Sequence, residues 1–199
     1  MVTADKIGLV SRSVTLKGYR DIMFDRYAGD NKTELRPEEK MYFDADGRSL
    51  VIPAENLMSF LTATNTTSAP KRFMDQRKYK AVCNAILSYA EINPWKIPLT
   101  RDGEQIVFND FDSEGRDEKA SIYIHRSVAR LKGQGGGIPN PKIRPVVAAP
   151  WEISFELQLL DNDEVSETEI KNFFIRGGMA LGLGTYRGVF GKFTVAKWE

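Results

Sequence analysis

The stretch Trp151-Glu-Ile-Ser-Phe-Glu-Leu-Gln-Leu-Leu160 alternates apolar and polar side chains, and this pattern predicts a half-buried β-strand. Ser166 and Glu169 then form a capping-box pattern ahead of apolar residues at helical spacing, which predicts a helix. A glycine-rich loop from Gly182 to Gly191 follows, and residues 192–198 alternate again. The C-terminal segment therefore predicts a strand, a helix, a loop and a strand.

The glycine-rich loop reads Gly182-Leu-Gly-Thr-Tyr-Arg-Gly-Val-Phe-Gly191. It follows a helix and lacks Gly-Lys-Ser/Thr, so it is not a mononucleotide-binding P-loop. One interpretation is that its N–H groups, Arg187 and Lys192 contact a phosphodiester backbone while Tyr186 or Phe190 stacks on a base. The other is a helix cap followed by a tight turn that needs positive φ. Four glycines exceed what one cap needs, which favours the binding interpretation.

Composition places the chain among ordinary globular proteins. It has 199 residues, 42% hydrophobic and 28% charged, and we expect one compact domain over the whole length. Lys and Arg number 28 against 27 Asp and Glu, so the net charge of +1 neither favours nor excludes a nucleic-acid partner. Cys83 is the single cysteine and is expected to be buried. Without a membrane-length apolar run or a signal-peptide core, the expected location is the cytoplasm.

Further elements are expected upstream. They are a strand over 14–24 with an interruption at Gly18, a hairpin pairing 40–43 with 49–52, a helix over 53–61, a long helix over 71–89, and paired strands at 106–108 and 120–125. The long helix begins with Lys71, Arg72, Arg77, Lys78 and Lys80. A basic helix start is more often a solvated face than a binding site, and both interpretations stay open.

A second basic stretch runs from Arg126 to Arg144 and contains no acidic residue. A Gly135-Gly-Gly137 run and two prolines interrupt it, which predicts a flexible loop or hairpin tip. Such a finger would contact phosphates through its cations, or reach a neighbouring copy of the chain. The alternative is a solvated loop.

Catalytic and metal signatures are weak. His125 is the only histidine and is a candidate general base beside Arg126 or Lys132, although a histidine at a strand end can simply form a hydrogen bond. An acidic turn offers oxygen ligands for a divalent ion but lacks the spacing of a calcium loop, so a solvated turn is expected. We predict no metal site and no cofactor. The turn's carboxylates are Asp110, Asp112, Glu114 and Asp117.

The chain resembles the RAMP superfamily of RNA-binding proteins in CRISPR systems, and within it the backbone subunit that polymerises along the guide RNA. Residues 182–193 are similar to the family's glycine-rich loop before the last strand. Residues 50–61 are similar to its strand-to-helix junction, and residues 126–144 stand where the family inserts a thumb-like hairpin. Ala54-Glu-Asn56 replaces the usual Gly-Ser-Ser-Leu-Lys-Gly, so the resemblance gives no ground for nucleic-acid contact there. The terminal segments also resemble those of uncharacterised prophage proteins.

The resemblance implies an α+β fold built on a ferredoxin-like, RRM-type antiparallel sheet, with helices on one face and a thumb-like insertion at about residues 95–148. It implies a non-catalytic protein of antiviral defence that coats single-stranded RNA in head-to-tail repeats, alongside other subunits and away from membranes. The implied loop contacts are Gly182, Gly184, Tyr186, Arg187, Gly188 and Lys192. The implied finger contacts are Arg126, Arg130, Lys132, Lys142 and Arg144.

Two other functions stay open. A metal-independent endoribonuclease of the same superfamily would use His125 and cleave a hairpin RNA without magnesium. A phage-encoded assembly or interaction module would use the fold without nucleic acid, and the near-zero net charge keeps that possibility in view.

Overall fold

The structure is a computed structural model that describes residues 8–30, 32–131 and 138–199, with the backbone alone for 129–131 and 138. This part of the chain contains twelve strands and four helices. The strands are β1 (Leu9–Gly18), β2 (Ile22–Met23), β3 (Val51–Pro53), β4 (Ala90–Asn93), β5 (Lys96–Pro98), β6 (Thr100–Arg101), β7 (Glu104–Gln105), β8 (Ser113–Glu114), β9 (Ile122–Leu131), β10 (Ile138–Val147), β11 (Trp151–Leu160) and β12 (Phe193–Trp198). The helices are α1 (Ala54–Thr62), α2 (Ala69–Phe73), α3 (Tyr79–Tyr89) and α4 (Glu167–Ala180). Among the described residues, no helix is long and apolar enough to cross a membrane.

The central sheet is antiparallel and is built on β1 and β11. These strands pair along ten residues, from Leu9 with Leu160 to Gly18 with Trp151. Strand β12 pairs with the other edge of β1, while β4 and β6 pair with β11. The predicted strand 151–160 is thus confirmed, and the order β12-β1-β11-β4 is compatible with the ferredoxin-like sheet that we expected.

The helices cover one face of this sheet. Alternate residues of β11, from Trp151 to Leu159, are buried together with Leu57 and Phe60 of α1, Ile86 of α3 and Phe174 of α4. The intervening residues of β11 face away from this core and are polar over most of its length. The result is a mixed α/β fold whose core lies between the sheet and the helices.

Helix α4 begins as the sequence predicts. The hydroxyl of Ser166 accepts the N–H of Glu169, and the Glu169 carboxylate accepts the N–H of Ser166, so the capping box is confirmed. The rings of Phe174 and Phe60 stack with 5.6 Å between centroids, which joins α4 to α1.

The predicted interruption at Gly18 is also found. A Cβ on Gly18 would overlap the indole of Trp151, whose Nε1 donates to the carbonyl of Arg20 at 2.8 Å. Strand β1 therefore ends at Gly18, and the chain continues as β2 in another sheet.

The second sheet has the order β2-β10-β9-β8, antiparallel except for the β8–β9 pair. Strands β9 and β10 form a hairpin with ten paired positions, from Ile122 with Val147 to Leu131 with Ile138. Most of the basic segment 126–144 is therefore regular strand, and its tip at 132–137 lies outside the described residues.

The single long helix expected over 71–89 is wrong. Met74 is extended and ends α2, the Asp75 carboxylate accepts the N–H of Arg77, and α3 begins at Tyr79. The apolar spacing continues across this turn because both helices pack on the same core, so periodicity alone does not reveal the break.

The pairing expected between 106–108 and 120–125 is also wrong. Leu50 donates its N–H to the carbonyl of Ile106, and Ser49 bridges Val107, so this segment joins the turn after residue 44. The hairpin expected around that turn is reduced to the bridge between Phe43 and Leu50, because residues 38–40 form a 3-10 turn.

Candidate nucleic-acid interface

The glycine-rich loop folds tightly on itself and on β2. Its four glycines all have positive φ, and Tyr186 joins them at 52°. A Cβ on Gly191 would overlap the carbonyl of Leu183, and a Cβ on Gly184 would overlap the carbonyl of Met23. Close backbone approach thus explains these two glycines without a ligand.

Most N–H groups of the loop are already bonded. Those of residues 182, 183, 185, 188, 190 and 191 donate to backbone carbonyls. The N–H groups of Gly184, Tyr186, Arg187 and Val189 form no hydrogen bond with a described residue. Contact between the loop and a ligand therefore depends mainly on side chains.

Arg187 lines a polar cavity of 280 Å³ between the loop and helix α1. Its side chain is half-buried and forms no hydrogen bond or ion pair with any described residue. Burial lowers the pKa of the guanidinium from its usual value, because the charged form loses hydration without gaining a counter-charge. The cavity therefore presents an uncompensated positive charge.

The acidic residue beside Arg187 does not neutralise it. Of the described residues that line the cavity, Asp25 is the acidic one, and its Oδ2 lies 2.7 Å from Nε of Arg144. Asn56 and Ser59 project from α1 into the same cavity and offer neutral polar groups. The site thus combines one free guanidinium, neutral hydrogen-bonding neighbours and a carboxylate already paired with Arg144, a composition that suits an anion.

Sequence reasoning missed Asn56 and Ser59. Both are polar, three residues apart on a helix whose buried positions are Ala54, Leu57, Phe60, Leu61 and Thr62. That spacing places them on one face of the helix, and this is the signal that could have been used.

The other half of the loop borders a larger cleft of 790 Å³ between β1, β12 and β9. Phe190 and Val189 line it from the loop, and His125 lines it from β9. The ring of Phe190 lies 5.9 Å from that of Tyr186 and 5.4 Å from that of His125, centroid to centroid. A row of aromatic rings therefore leads from the small cavity into the cleft.

The back of the cleft is held by Asp21. One carboxylate oxygen accepts the Tyr123 hydroxyl at 2.8 Å and lies 3.3 Å from Nε of Arg116, while the other accepts the N–H of Ala149. Burial, followed by the hydrogen bond to Asp21, raises the pKa of Tyr123. These contacts fix the back wall of the cleft. Arg20 lines the cleft as well, and its guanidinium has no partner among the described residues.

The predicted finger cations are placed on both faces of the hairpin. Opposed residues of an antiparallel pair share a face, so Arg144 lies with His125 and Lys142 lies with Ser127, whereas Arg126 points the other way. Arg126 pairs with Glu114 at 3.1 Å, and Arg144 pairs with Asp25. Lys142 has no side-chain partner among the described residues. The side chain of Arg130 and the whole of Lys132 lie outside the described part.

Two further loop residues complete the predicted set. Gly188 is exposed, and no atom lies near the position a Cβ would take. The carbonyl of Lys192 accepts the N–H groups of Tyr19 and Arg20, and its side chain is half-buried without a described partner.

The acidic turn has structural roles. The carboxylates of Asp110 and Asp117 accept N–H groups within the turn, Asp112 accepts those of Ser121 and Ile122, and Glu114 holds Arg126. In the part of the chain that the structure describes, no cluster of His, Cys, Asp or Glu could hold a metal ion.

The open face of the central sheet offers no stacking platform on its two middle strands. The outward residues there are small or polar except for the pair Leu9 and Leu160 at one end, and none is aromatic. They include Ser11, Ser13 and Thr15 of β1 and Ser154 and Glu156 of β11. An RRM stacks bases on aromatic residues of this face. The exposed aromatic ring of the loop, Tyr186, lies away from this face.

No protein-family model matches the chain, and no curated protein matches it. Among solved structures, it resembles a chain of the cryo-EM structure of the Type III-B Cmr-beta bound to cognate target RNA. The TM-score is 0.56 at 12% sequence identity, and the match covers 96% of this chain and 60% of that chain. At this identity the likeness shows a shared fold, and this chain spans about three fifths of its neighbour's length.

Proposed function

We propose that this protein is a non-catalytic single-stranded RNA-binding subunit, and that Arg187 and Tyr186 form the centre of its RNA site. The observation that carries the proposal is the half-buried guanidinium of Arg187, which has no counter-charge among the described residues. Partial burial of an unpaired cation is unfavourable, and an anion bound in the cavity would offset that cost. A phosphate oxygen suits the fork geometry of a guanidinium.

A strand, rather than a free nucleotide, fits the surroundings of Arg187. Tyr186 is 55% exposed beside the cavity, and Phe190 and His125 continue the row of rings into the cleft. Proteins that bind single strands without sequence preference combine phosphate contacts with base stacking. Here Arg187 and Lys192 would contact phosphates, and Tyr186 would stack on a base. Lys142, on the His125 face of the hairpin, would extend this track.

The architecture supports a RAMP-type role. Under this proposal, the sheet β12-β1-β11-β4 is the ferredoxin-like core of one domain, and the β9–β10 hairpin is a thumb-like insertion within about residues 95–148. The structural neighbour belongs to an assembly bound to RNA, which supports RNA and other subunits as partners. Repeated copies along a guide-type RNA would add head-to-tail contacts between subunits.

The test is Arg187→Gln, measured by fluorescence anisotropy with single-stranded RNA at several salt concentrations. We expect affinity to fall by about tenfold to a hundredfold, as for loss of a hydrogen bond to a charged group. The salt slope should shrink by about 0.7, the value for one phosphate contact on a single strand. Arg36→Gln, which removes an exposed guanidinium already paired with Glu38, is the matched control. Equal binding by both variants would contradict the proposal.

One observation keeps a second function in view. His125 lines the cleft with Arg116 and Tyr123. In a metal-independent endoribonuclease, the imidazole of His125 would be the general base that removes the proton of a ribose 2′-hydroxyl. That function requires cleavage of a hairpin RNA in the presence of a chelator, and loss of cleavage in His125→Ala.

A further inference from the structure

A second region of the surface carries positive charge that the loop site does not use. Residues 71–80, which end α2 and begin α3, contain five Lys or Arg and one acidic residue, Asp75. Four of these side chains are exposed and form no hydrogen bond or ion pair with a described residue. They are Arg72, Arg77, Lys78 and Lys80, and we call them the junction cations.

The β9–β10 hairpin has a sequence as basic as residues 71–80, but more of its described cations are paired with carboxylates. Arg126 and Arg144 are neutralised by Glu114 and Asp25. Within residues 71–80, only Lys71 has a hydrogen bond from its side chain, and its acceptor is the carbonyl of Thr64. Of the hairpin cations whose side chains are described, Lys142 alone is unpaired, whereas four of the five cations in residues 71–80 are. The junction cations therefore hold more uncompensated charge than the described part of the hairpin.

Stability of the helix does not explain these cations. Lys78 stands at the N-cap of α3 and Lys80 lies in its first turn, which contains no acidic residue. Cations near a helix N-terminus oppose the macrodipole. Asp75 supplies one negative charge against five cations, and its carboxylate accepts the backbone N–H of Arg77 rather than pairing with a side chain. A purely structural surface would be expected to carry Asp or Glu at this end.

The junction cations are connected to the RNA site through α4. The guanidinium of Arg176 lies 4.3 Å from the ring centroid of Phe73, the last residue of α2. A Cβ on Gly177 would overlap the ring of Phe60 and lie 3.3 Å from the Cβ of Ala69, so α4 packs closely against both α1 and α2. Arg176 precedes Gly182 by six residues. The four residues from Arg176 to the end of α4 at Ala180 correspond to about 6 Å along the helix axis. The charged surface therefore borders the helix that leads directly into the glycine-rich loop.

We infer that the junction cations, with Arg176, form a second contact surface for the phosphate backbone of the RNA held by the loop. This inference rests on the proposed RNA-binding function and adds a stretch of strand that passes over α2 and α3. Because Lys and exposed Arg would meet phosphates only, the surface lengthens the site without reading sequence.

The experiment compares a fourfold variant with a fourfold control. The variant is Arg72→Gln, Arg77→Gln, Lys78→Gln and Lys80→Gln. The control is Arg36→Gln, Lys96→Gln, Lys119→Gln and Lys197→Gln, which removes the same charge from exposed sites elsewhere. Anisotropy is measured on oligouridylates of about 6 and about 16 nucleotides, lengths that bracket common site sizes for single strands. Thermal unfolding checks that both proteins fold.

We expect the variant to bind the short RNA within twofold of the control and the long RNA at least tenfold more weakly. Its salt slope on the long RNA should fall by about 0.7 for each phosphate that the variant no longer neutralises. Equal binding of the long RNA by both proteins would overturn the inference and leave the loop site standing. Equal loss on both RNAs would also overturn it, because the junction would then belong to the loop site itself. Absence of RNA binding by the unmodified protein would refute the RNA function and this inference together.

Discussion

The ring of Phe190, in the glycine-rich loop, meets the imidazole of His125, on strand β9, edge to face with 5.4 Å between centroids. This contact joins two segments that the sequence presents separately, the loop before the last strand and the base of the basic hairpin. Because Arg187 lies in the same loop, the contact also limits how far the cavity can shift relative to the hairpin.

A double-mutant cycle measures this contact. We expect Phe190→Ala and His125→Ala to show a coupling energy of about 0.5–1.5 kcal/mol in urea unfolding, the range found for aromatic pairs. Trp95→Ala with His125→Ala is the control, because Trp95 does not line the cleft, and should show additive effects. Additivity in the Phe190 cycle would mean that the loop and the hairpin are not joined in solution.

Gly191 is expected to be the most sensitive glycine of the loop. Gly191→Ala combines a left-handed φ with overlap at the Leu183 carbonyl, and we expect it to lower the free energy of unfolding by about 3 kcal/mol or more. Gly188→Ala also has positive φ but meets open space, so its cost should be about 1–2 kcal/mol. Similar costs for the two changes, measured by urea unfolding, would show that the loop does not pack as described.

Tyr123 should make stability depend on pH in the alkaline range. Burial and the hydrogen bond to Asp21 raise its pKa in the folded state above the usual value of about 10. The unfolded chain therefore loses the phenolic proton first, so this contribution to stability is complete below pH about 10 and falls as the pH rises further.

Tyr123→Phe removes that contribution. We expect the decline of the unfolding free energy above pH about 10 to be shallower in the variant than in the unmodified protein. Tyr42 and Tyr89, whose pKa values are also raised, remain in both proteins, so the difference reports Tyr123. Parallel curves would exclude a buried, hydrogen-bonded Tyr123.

Local patterns in the sequence were sufficient to predict the secondary structure of the C-terminal segment, residues 151–198. The strand 151–160 and the capping box at Ser166 follow from alternation and from a short-range cap, and the structure has both. The interruption at Gly18 was visible as well, although its cause, the indole of Trp151, was not.

Pairing between segments that are distant in the sequence could not be predicted from such local patterns. Residues 106–108 bond to Ser49 and Leu50 rather than to their expected neighbours, because several short apolar segments compete for each edge. The ion pairs of Arg126 and Arg144 are likewise non-local, and they neutralise two of the cations that make the hairpin sequence look strongly basic. The site residues Asn56 and Ser59 needed the packing of α1 beside the loop to become apparent.

The most direct test of the proposed function is the nucleic-acid content and size of the protein as purified. Absorbance ratio and light scattering would be recorded before and after treatment with nuclease and high salt. We expect bound RNA of regular length, in particles that shrink to smaller species when the RNA is removed. A small oligomer that carries no nucleic acid and keeps its size when RNA is added would contradict the account and favour an assembly module.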